Sequence, residues 1–301
     1  MIYWYPDLAE QVLKGLHTRI RPSLSKFLEG AGYLPDWDVI LMQTAYCIEP
    51  IRLTPALLIE RVPYTRPDSF LERLRAAARR GWLHEEDGKF NLTKSGYEVV
   101  EGVYELGDRL YAKIEALTDP EMAQLRSLSD CVIGKIKELP EPPKKLAFEL
   151  SLNFDRGVKT PLIVRIRQQI FILLAFRDDA HIAAWRPYEA DGHLWETFTL
   201  IWRKQAGSAS DLVEMLPHRN YTQNDYATAL DVLRNRGWIS DRGDIFAVKD
   251  QAARMRQEVE EVTDRTFATA FSGLSLAEKC KFQALMRELA KAVTLQEGCA
   301  S

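Results

Sequence analysis

The sequence predicts a mainly α-helical protein with two small β-hairpins, in which one helix–turn–helix–hairpin unit occurs twice. Three observations carry this prediction. A long stretch of the chain repeats itself at a constant offset. In each copy, apolar residues recur at three- and four-residue steps and the run stops at a glycine. Each glycine is followed by two short extended runs around a charged tight turn.

The repeat sets Phe70 against Tyr226, Leu74 against Leu230, Arg80-Gly81-Trp82 against Arg236-Gly237-Trp238, and Phe90 against Phe246. Further on it sets Asp108-Arg109 against Asp264-Arg265. Upstream, Leu57-Leu58 and Val62-Pro63 correspond to Asp211-Leu212 and Leu216-Pro217 after a two-residue change in the turn.

The elements follow in order. Thr54 and Ser208 are good N-caps, and Pro55 suits a first helical position. A short helix runs to about Glu60 or Met215 and ends before Pro63 or Pro217. A longer helix spans 66–80 and 222–236, with Phe70, Leu74 and Ala77, or Tyr226, Leu230 and Leu233, on its inner face. Gly81 and Gly237 stop it. The first hairpin is Trp82-Leu83-His84 and Phe90-Asn91-Leu92 around Glu86-Asp87-Gly88. The second is Trp238-Ile239-Ser240 and Ile245-Phe246-Ala247-Val248 around Arg242-Gly243-Asp244. Long helices are expected after each hairpin, at 94–117 and 249–271, then further amphipathic helices at 120–137 and 276–293. The run Leu139-Pro140-Glu141-Pro142-Pro143-Lys144-Lys145 reads as a linker, since proline blocks helix propagation. It divides the chain into 1–138, a linker at 139–146, and 147–301. Residues 148–154 read as strand or irregular. Helices are expected at 161–176 and again at 179–185, and the tail Gly298-Cys299-Ala300-Ser301 as frayed.

Helix, turn, helix and hairpin make a winged helix. Here the sequence resembles the MarR-like winged helix-turn-helix regulators. The resemblance lies in the long second helix ending Arg80-Gly81-Trp82-Leu83, the wing, and the exit Leu92-Thr93-Lys94-Ser95-Gly96. It covers about 36–138, and more weakly 191–293. It implies binding to double-stranded DNA and, without naming one, a small-molecule effector. Two departures stand out. The family's wing carries an Asp-x-Arg pair where this chain has Glu86-Asp87-Gly88-Lys89. The family dimerises, whereas this chain holds two modules and could form a pseudo-dimer alone or a homodimer.

Composition narrows the function classes. The chain has 301 residues, 46% hydrophobic and 28% charged, as expected of a globular protein with about two domains. Met1-Ile2-Tyr3-Trp4-Tyr5-Pro6-Asp7 lacks the features of a signal peptide, and the most apolar window, 170–176, is too short to span a bilayer. Cys47, Cys131, Cys280 and Cys299 form no CxxC pair and read as reduced thiols of a cytoplasmic protein. A net charge of −3 excludes a histone-like binder, so a DNA surface must be a local patch.

Candidate DNA contacts follow from helix-turn-helix docking, which places the second helix in the major groove. In copy one, Arg66, Arg73 and Arg80 lie seven apart and share a stripe, with Ser69, Arg75 and Arg79 beside them. The alternative is a solvated face, since Asp68 and Glu72 are interspersed. Copy two has Thr222, Gln223, Asn224 and Thr228 instead. Gln and Asn can read adenine, but Asp225 and Asp231 oppose a phosphate backbone, which makes copy one the expected main reader. Lys89, Lys94 and Arg242 are candidate wing contacts, or ordinary surface charges.

Trp185, Tyr188, Trp195, Phe198 and Trp202 have the spacing of core packing, with an apolar effector pocket between the halves as the alternative. Asp178, Asp179 and His181 lack a metal-ligand spacing, so neither metal nor cofactor is expected. No P-loop, GxGxxG, HExxH or GxSxG occurs. Gln168-Gln169 beside Arg165 and Arg167 is the only cluster suggesting a base-flipping repair enzyme. The expectation is a transcriptional regulator without catalysis. A winged-helix protein scaffold and a glycosylase-like enzyme are the alternatives.

Overall fold

A computed structural model describes residues 4–30, 37–157, 159–242 and 245–294. The first copy comprises α1 (Tyr5–Gly30), α2 (Trp37–Ile48), α3 (Pro55–Arg61), α4 (Pro67–Arg79), β1 (Leu83–Glu86), β2 (Lys89–Leu92), α5 (Lys94–Tyr111) and α6 (Asp119–Glu138). After α7 (Leu146–Leu152) the same order recurs. It runs α8 (Leu162–Trp185), α9 (Gly192–Trp202), α10 (Ala209–Met215), α11 (Gln223–Asn235), β3 (Ile239–Arg242), β4 (Ile245–Val248), α12 (Asp250–Thr269) and α13 (Leu276–Thr294). The mainly α fold with two small antiparallel hairpins is the one the sequence predicts.

The repetition extends to individual bonds. α4 ends as Gly81 N–H bonds Ala78 O and Trp82 N–H bonds Ala77 O, while α11 ends with Gly237 to Arg234 and Trp238 to Leu233. This closure needs a left-handed residue, and Gly81 and Gly237 supply φ of 78° and 71°. Leu83 pairs with Leu92, and Ile239 with Val248, at matching positions of the two ladders. Arg80 lies 5.1 Å over the ring of Trp82, and Arg236 5.3 Å over Trp238. The first hairpin turns through Asp87 and Gly88, both at positive φ (52° and 71°), as a two-residue hairpin turn requires. Gly243 and Asp244 of the second turn, and the tail Gly298-Cys299-Ala300-Ser301, lie outside the described residues.

The exit from the first wing is set by Thr93. Its hydroxyl donates to Gly81 O at 2.5 Å and accepts from Gly96 N at 3.1 Å, starting α5 directly beneath the end of α4. A Cβ on Gly96 would lie 2.2 Å from Trp82 O, so this close approach admits only glycine.

Three local expectations are corrected. α5 ends at Tyr111, well short of 117. Residues 148–154, read as strand or irregular, belong largely to α7. The cause lies far off in sequence, because the Asp179 carboxylate accepts from Ala147 N (2.9 Å) and Phe148 N (2.8 Å), holding the first amides of α7. The helices expected at 161–176 and 179–185 are one continuous α8.

The chain forms two compact units. The first draws on Met1–Arg52, Ala77–Ala180 and Asp264–Ser301, and the second on Leu53–Ala76 and His181–Thr263. In the first unit Tyr5 packs on Phe267, Phe271 and Phe282 at 5.4–6.0 Å between ring centroids. Each such ring contributes about 1.5–3 kcal/mol by leaving water. α1 lies against α13, where Arg19 Nη2 donates to Ala292 O at 2.8 Å and Gly15 meets Val293. α8 lies against α6, where Gln169 Nε2 donates to Arg126 O at 3.3 Å. The second unit centres on Trp195, Phe198, Tyr226, Leu230 and Leu233. Among the described residues no helix is long and apolar enough to cross a membrane.

Candidate nucleic-acid interface

In a helix-turn-helix, the outward face of the second helix is what a duplex would meet. α11 buries Tyr226, Ala229, Leu230 and Leu233 and presents Gln223, Asn224, Ala227, Thr228, Asp231 and Asn235 to solvent. Its start is built by Thr222 and Asp225. Thr222 Oγ1 accepts from Asp225 N at 3.2 Å while the Asp225 carboxylate accepts from Thr222 N at 2.7 Å. These hydrogen bonds hold the Asp225 carboxyl below its usual range. Thr222 is thus committed to capping. Asp231 is countered by Arg234, which pairs with it at 2.5 Å and with Asp241 at 3.1 Å. What remains outward on the first two turns is uncharged: Gln223, Asn224, Ala227 and Thr228, whose hydroxyl donates to Asn224 O at 2.9 Å.

α4 has a different surface. Phe70, Leu74 and Ala77 are buried, as the periodicity predicts. The exposed line runs through Asp68, Glu72, Arg75 and Arg79, two acids toward the start of the helix and two bases toward its end. Arg66, Arg73 and Arg80 do share one side, but it is a half-buried flank. Arg66 pairs with Glu72 at 3.2 Å, Arg73 Nη2 donates to His218 O at 3.4 Å, and Arg80 lies over Trp82. Ser69 is 1% exposed and its hydroxyl donates to Arg66 O at 2.7 Å, so it closes the helix start and has no surface to offer DNA. A stripe at seven-residue spacing gives a common side without saying whether that side meets water.

On the first wing Lys89 is exposed, Lys94 is exposed and 4.0 Å from Glu98, and Arg52 pairs with Glu86. The side chain of Arg242 lies outside the described residues. Arg236, beside α11, donates to the carbonyls of Tyr188 and Glu189 at 3.1 and 2.9 Å.

The five aromatics expected either as core or as a pocket between halves all lie in the second unit. Trp185 and Tyr188 both stack on Trp195 (5.9 and 6.1 Å), and Phe198 meets it edge-on at 5.7 Å. Trp195, Trp185 and Phe198 are at most 2% exposed, so these rings fill one another's space. Trp202 is half-buried under Arg256, 4.9 Å away.

Two clusters with reactive side chains serve packing instead. Trp195 Nε1–H donates to His181 Nε2 at 3.2 Å, which makes His181 a neutral ring that donates from Nδ1 to Thr263 Oγ1, also 3.2 Å away. Thr263 passes its own proton to Val259 O at 2.7 Å. Asp179 caps α7 and His181 joins Trp195 to Thr263, and among the described residues no group of three His, Cys, Asp or Glu side chains could hold a metal. Gln168 donates to Ser151 O at 2.9 Å, and Gln169 joins α8 to α6.

Two buried charges escaped the sequence reading. Arg219 makes three hydrogen bonds of 2.6–3.2 Å to Glu196, with both side chains under a fifth exposed. Burial pushes the Glu196 carboxyl up, against the opposing pull of Arg219. Arg256, 1% exposed, pairs with Glu260 at 2.5 Å and donates to Thr199 Oγ1 at 3.0 Å, and burial lowers its pKa. A signal existed for the first: Glu196 sits inside the apolar run of α9, where an unpaired carboxylate is costly.

Residues 160–299 match the model of a helix-turn-helix family. The match spans α8 to α13 and supports a helix-turn-helix DNA-binding module there. Neither a search of the curated proteins nor one of the solved structures returns a match.

Proposed function

We propose that this chain is a sequence-specific transcriptional regulator acting in the cytoplasm, a single-chain pseudo-dimer of two winged-helix modules that binds double-stranded DNA. The observation that carries it is the outward face of α11. Gln223, Asn224 and Thr228 stand on α11, which follows the short α10 and its turn within the stretch matched as a helix-turn-helix, with base-reading chemistry and no opposing apolar core duty. This shifts the weight from copy one, the expected main reader, to copy two. Arg79, Lys89 and Lys94, all exposed, are the phosphate contacts we assign to copy one. The pseudo-dimer is supported by the doubled order of elements and by α1 against α13 and α6 against α8 in the first unit, each a pairing of one copy with the other. The likeness of the wing and its exit helix to MarR-like regulators supports the same reading.

The test is fluorescence anisotropy on duplexes selected by the full chain, across a salt series. Replacing Gln223, Asn224 and Thr228 together by alanine is expected to abolish preference for the selected sequence while non-specific affinity persists. Each good bidentate pairing with a base edge accounts for about 1–3 kcal/mol of that discrimination. Arg79→Ala/Lys89→Ala/Lys94→Ala is expected to weaken all duplexes alike and flatten the salt slope by about one unit per phosphate contact. Folded protein with no duplex affinity at low salt would refute the reading.

A further inference from the structure

The turns of the two helix-turn-helix units are clasped together within the second unit. Arg66 N donates to Arg219 O at 3.0 Å, and Arg219 Nη1 donates to Thr65 Oγ1 at 3.3 Å. The Arg219 guanidinium lies 5.3 Å over the ring of Tyr64, and Glu196 holds it from the other side. Thr65 is completely buried. Nearby, the backbone of Gly192 is pressed on Pro63, whose carbonyl oxygen would lie 2.3 Å from any Cβ placed there. About two turns further along α4, Arg73 Nη2 reaches His218 O at 3.4 Å.

This clasp limits how far apart the N-terminal ends of α4 and α11 can be. α4 starts at Pro67, one residue beyond Arg66, and α11 starts at Gln223, four residues beyond Arg219. Four residues span at most about 14 Å, so with the bridged peptide groups the two helix starts are no more than about 25 Å apart. Asn220, at φ 59°, bends the connection and shortens it further. Helix-turn-helix dimers read two half-sites with the N-terminal residues of their recognition helices about 34 Å apart, one turn of the duplex. The clasped helices fall short of that spacing. They also carry unlike chemistry, with Asp68, Glu72, Arg75 and Arg79 on one and Gln223, Asn224 and Thr228 on the other.

We propose, resting on the DNA-binding reading above, that the chain recognises one uninterrupted, non-palindromic stretch of duplex about one helical turn long, read by α11, with Arg219 as the residue that fixes the start of α4 beside it. The experiment is a selection by the full chain from duplexes randomised over two helical turns. It is followed by affinity measurements on the winning sequence as its flanks are cut back. A single motif of no more than about 10 base pairs, without a dyad, is expected. Trimming to that motif should leave Kd within about tenfold, because the phosphate contacts within it are retained. Two equivalent half-motifs centred one turn apart would overturn the inference and leave the DNA-binding reading standing. So would a loss of at least about a hundredfold when one side is cut away, the expected consequence of deleting a half-site. Absence of any enriched duplex would overturn both.

Discussion

Replacing Arg219 by alanine tests whether the clasp is a true buried ion pair. The substitution removes three hydrogen bonds to Glu196, one to Thr65 and the cation lying over Tyr64. It also leaves the Glu196 carboxylate, 18% exposed, without its counter-charge. Breaking such a pair from one side costs about 3–5 kcal/mol, most of it the burden of an uncompensated buried charge. Backbone bonds such as Arg66 N to Arg219 O survive, so about 3 kcal/mol is the better expectation. With a urea m-value of about 3 kcal/mol/M, the midpoint should fall by about 1 M. The sign with pH is set by Glu196, whose pKa already lies above its unfolded value through burial. A raised carboxyl favours folding when protonated, so stability falls as pH climbs from the unfolded value through the folded one. Removing Arg219, which opposes that rise, should widen the window and steepen the loss toward neutral pH. Adding Glu196→Gln to Arg219→Ala should return part of the stability and erase the slope. Urea unfolding followed by tryptophan fluorescence at several pH values is the assay. A cost under about 1 kcal/mol, the range of a surface pair, with no pH dependence would refute the clasp as described.

Other perturbations follow from the same geometry. Gly96→Ala should push α5 off the end of α4, because its Cβ would sit 2.2 Å from Trp82 O; a loss of about 1–3 kcal/mol in thermal or urea unfolding is expected. Asp179→Ala removes both acceptors at the start of α7 and should cost about 1–2 kcal/mol in the same assay, whereas Asp179→Asn should cost less. Burial lowers the pKa of His193, so the unfolded chain takes up a proton first as pH falls below about 6.5. The urea midpoint should therefore drop on acidification in that range, and His193→Gln should shallow the drop.

Much of the architecture is legible in the chain itself. The Arg-Gly-Trp endings, the Phe70/Leu74/Ala77 and Tyr226/Leu230/Leu233 spacings and the Asp-Gly turn each express a local rule, since glycine supplies positive φ and periodicity sets the inner face. Such rules depend on residues within one or two turns of each other. Their repetition at one offset makes the two copies visible. The segment at 148–154 escapes because α7 is capped by a carboxylate from α8, and a seven-residue helix lacks the length to declare itself.

The candidate site is legible in kind and not in orientation. Gln223, Asn224 and Thr228 are picked out by residue type and stand outward. Arg66, Arg73, Arg80 and Ser69 are picked out on equal grounds and face partly or wholly inward. Helical periodicity groups residues onto sides but is blind to what is laid against each side. That depends on His218 and Arg219, which are far from α4 in sequence and meet Arg73 and the residues just before α4 only when the chain folds. Local backbone chemistry thus decided the elements and their duplication. Which side of α4 meets solvent, and how close the starts of α4 and α11 lie, was decided by contacts from distant segments, the His218 carbonyl on Arg73 and the Arg219–Glu196 pair beside Thr65, because a polar group leaving water must find its partner wherever the fold supplies one.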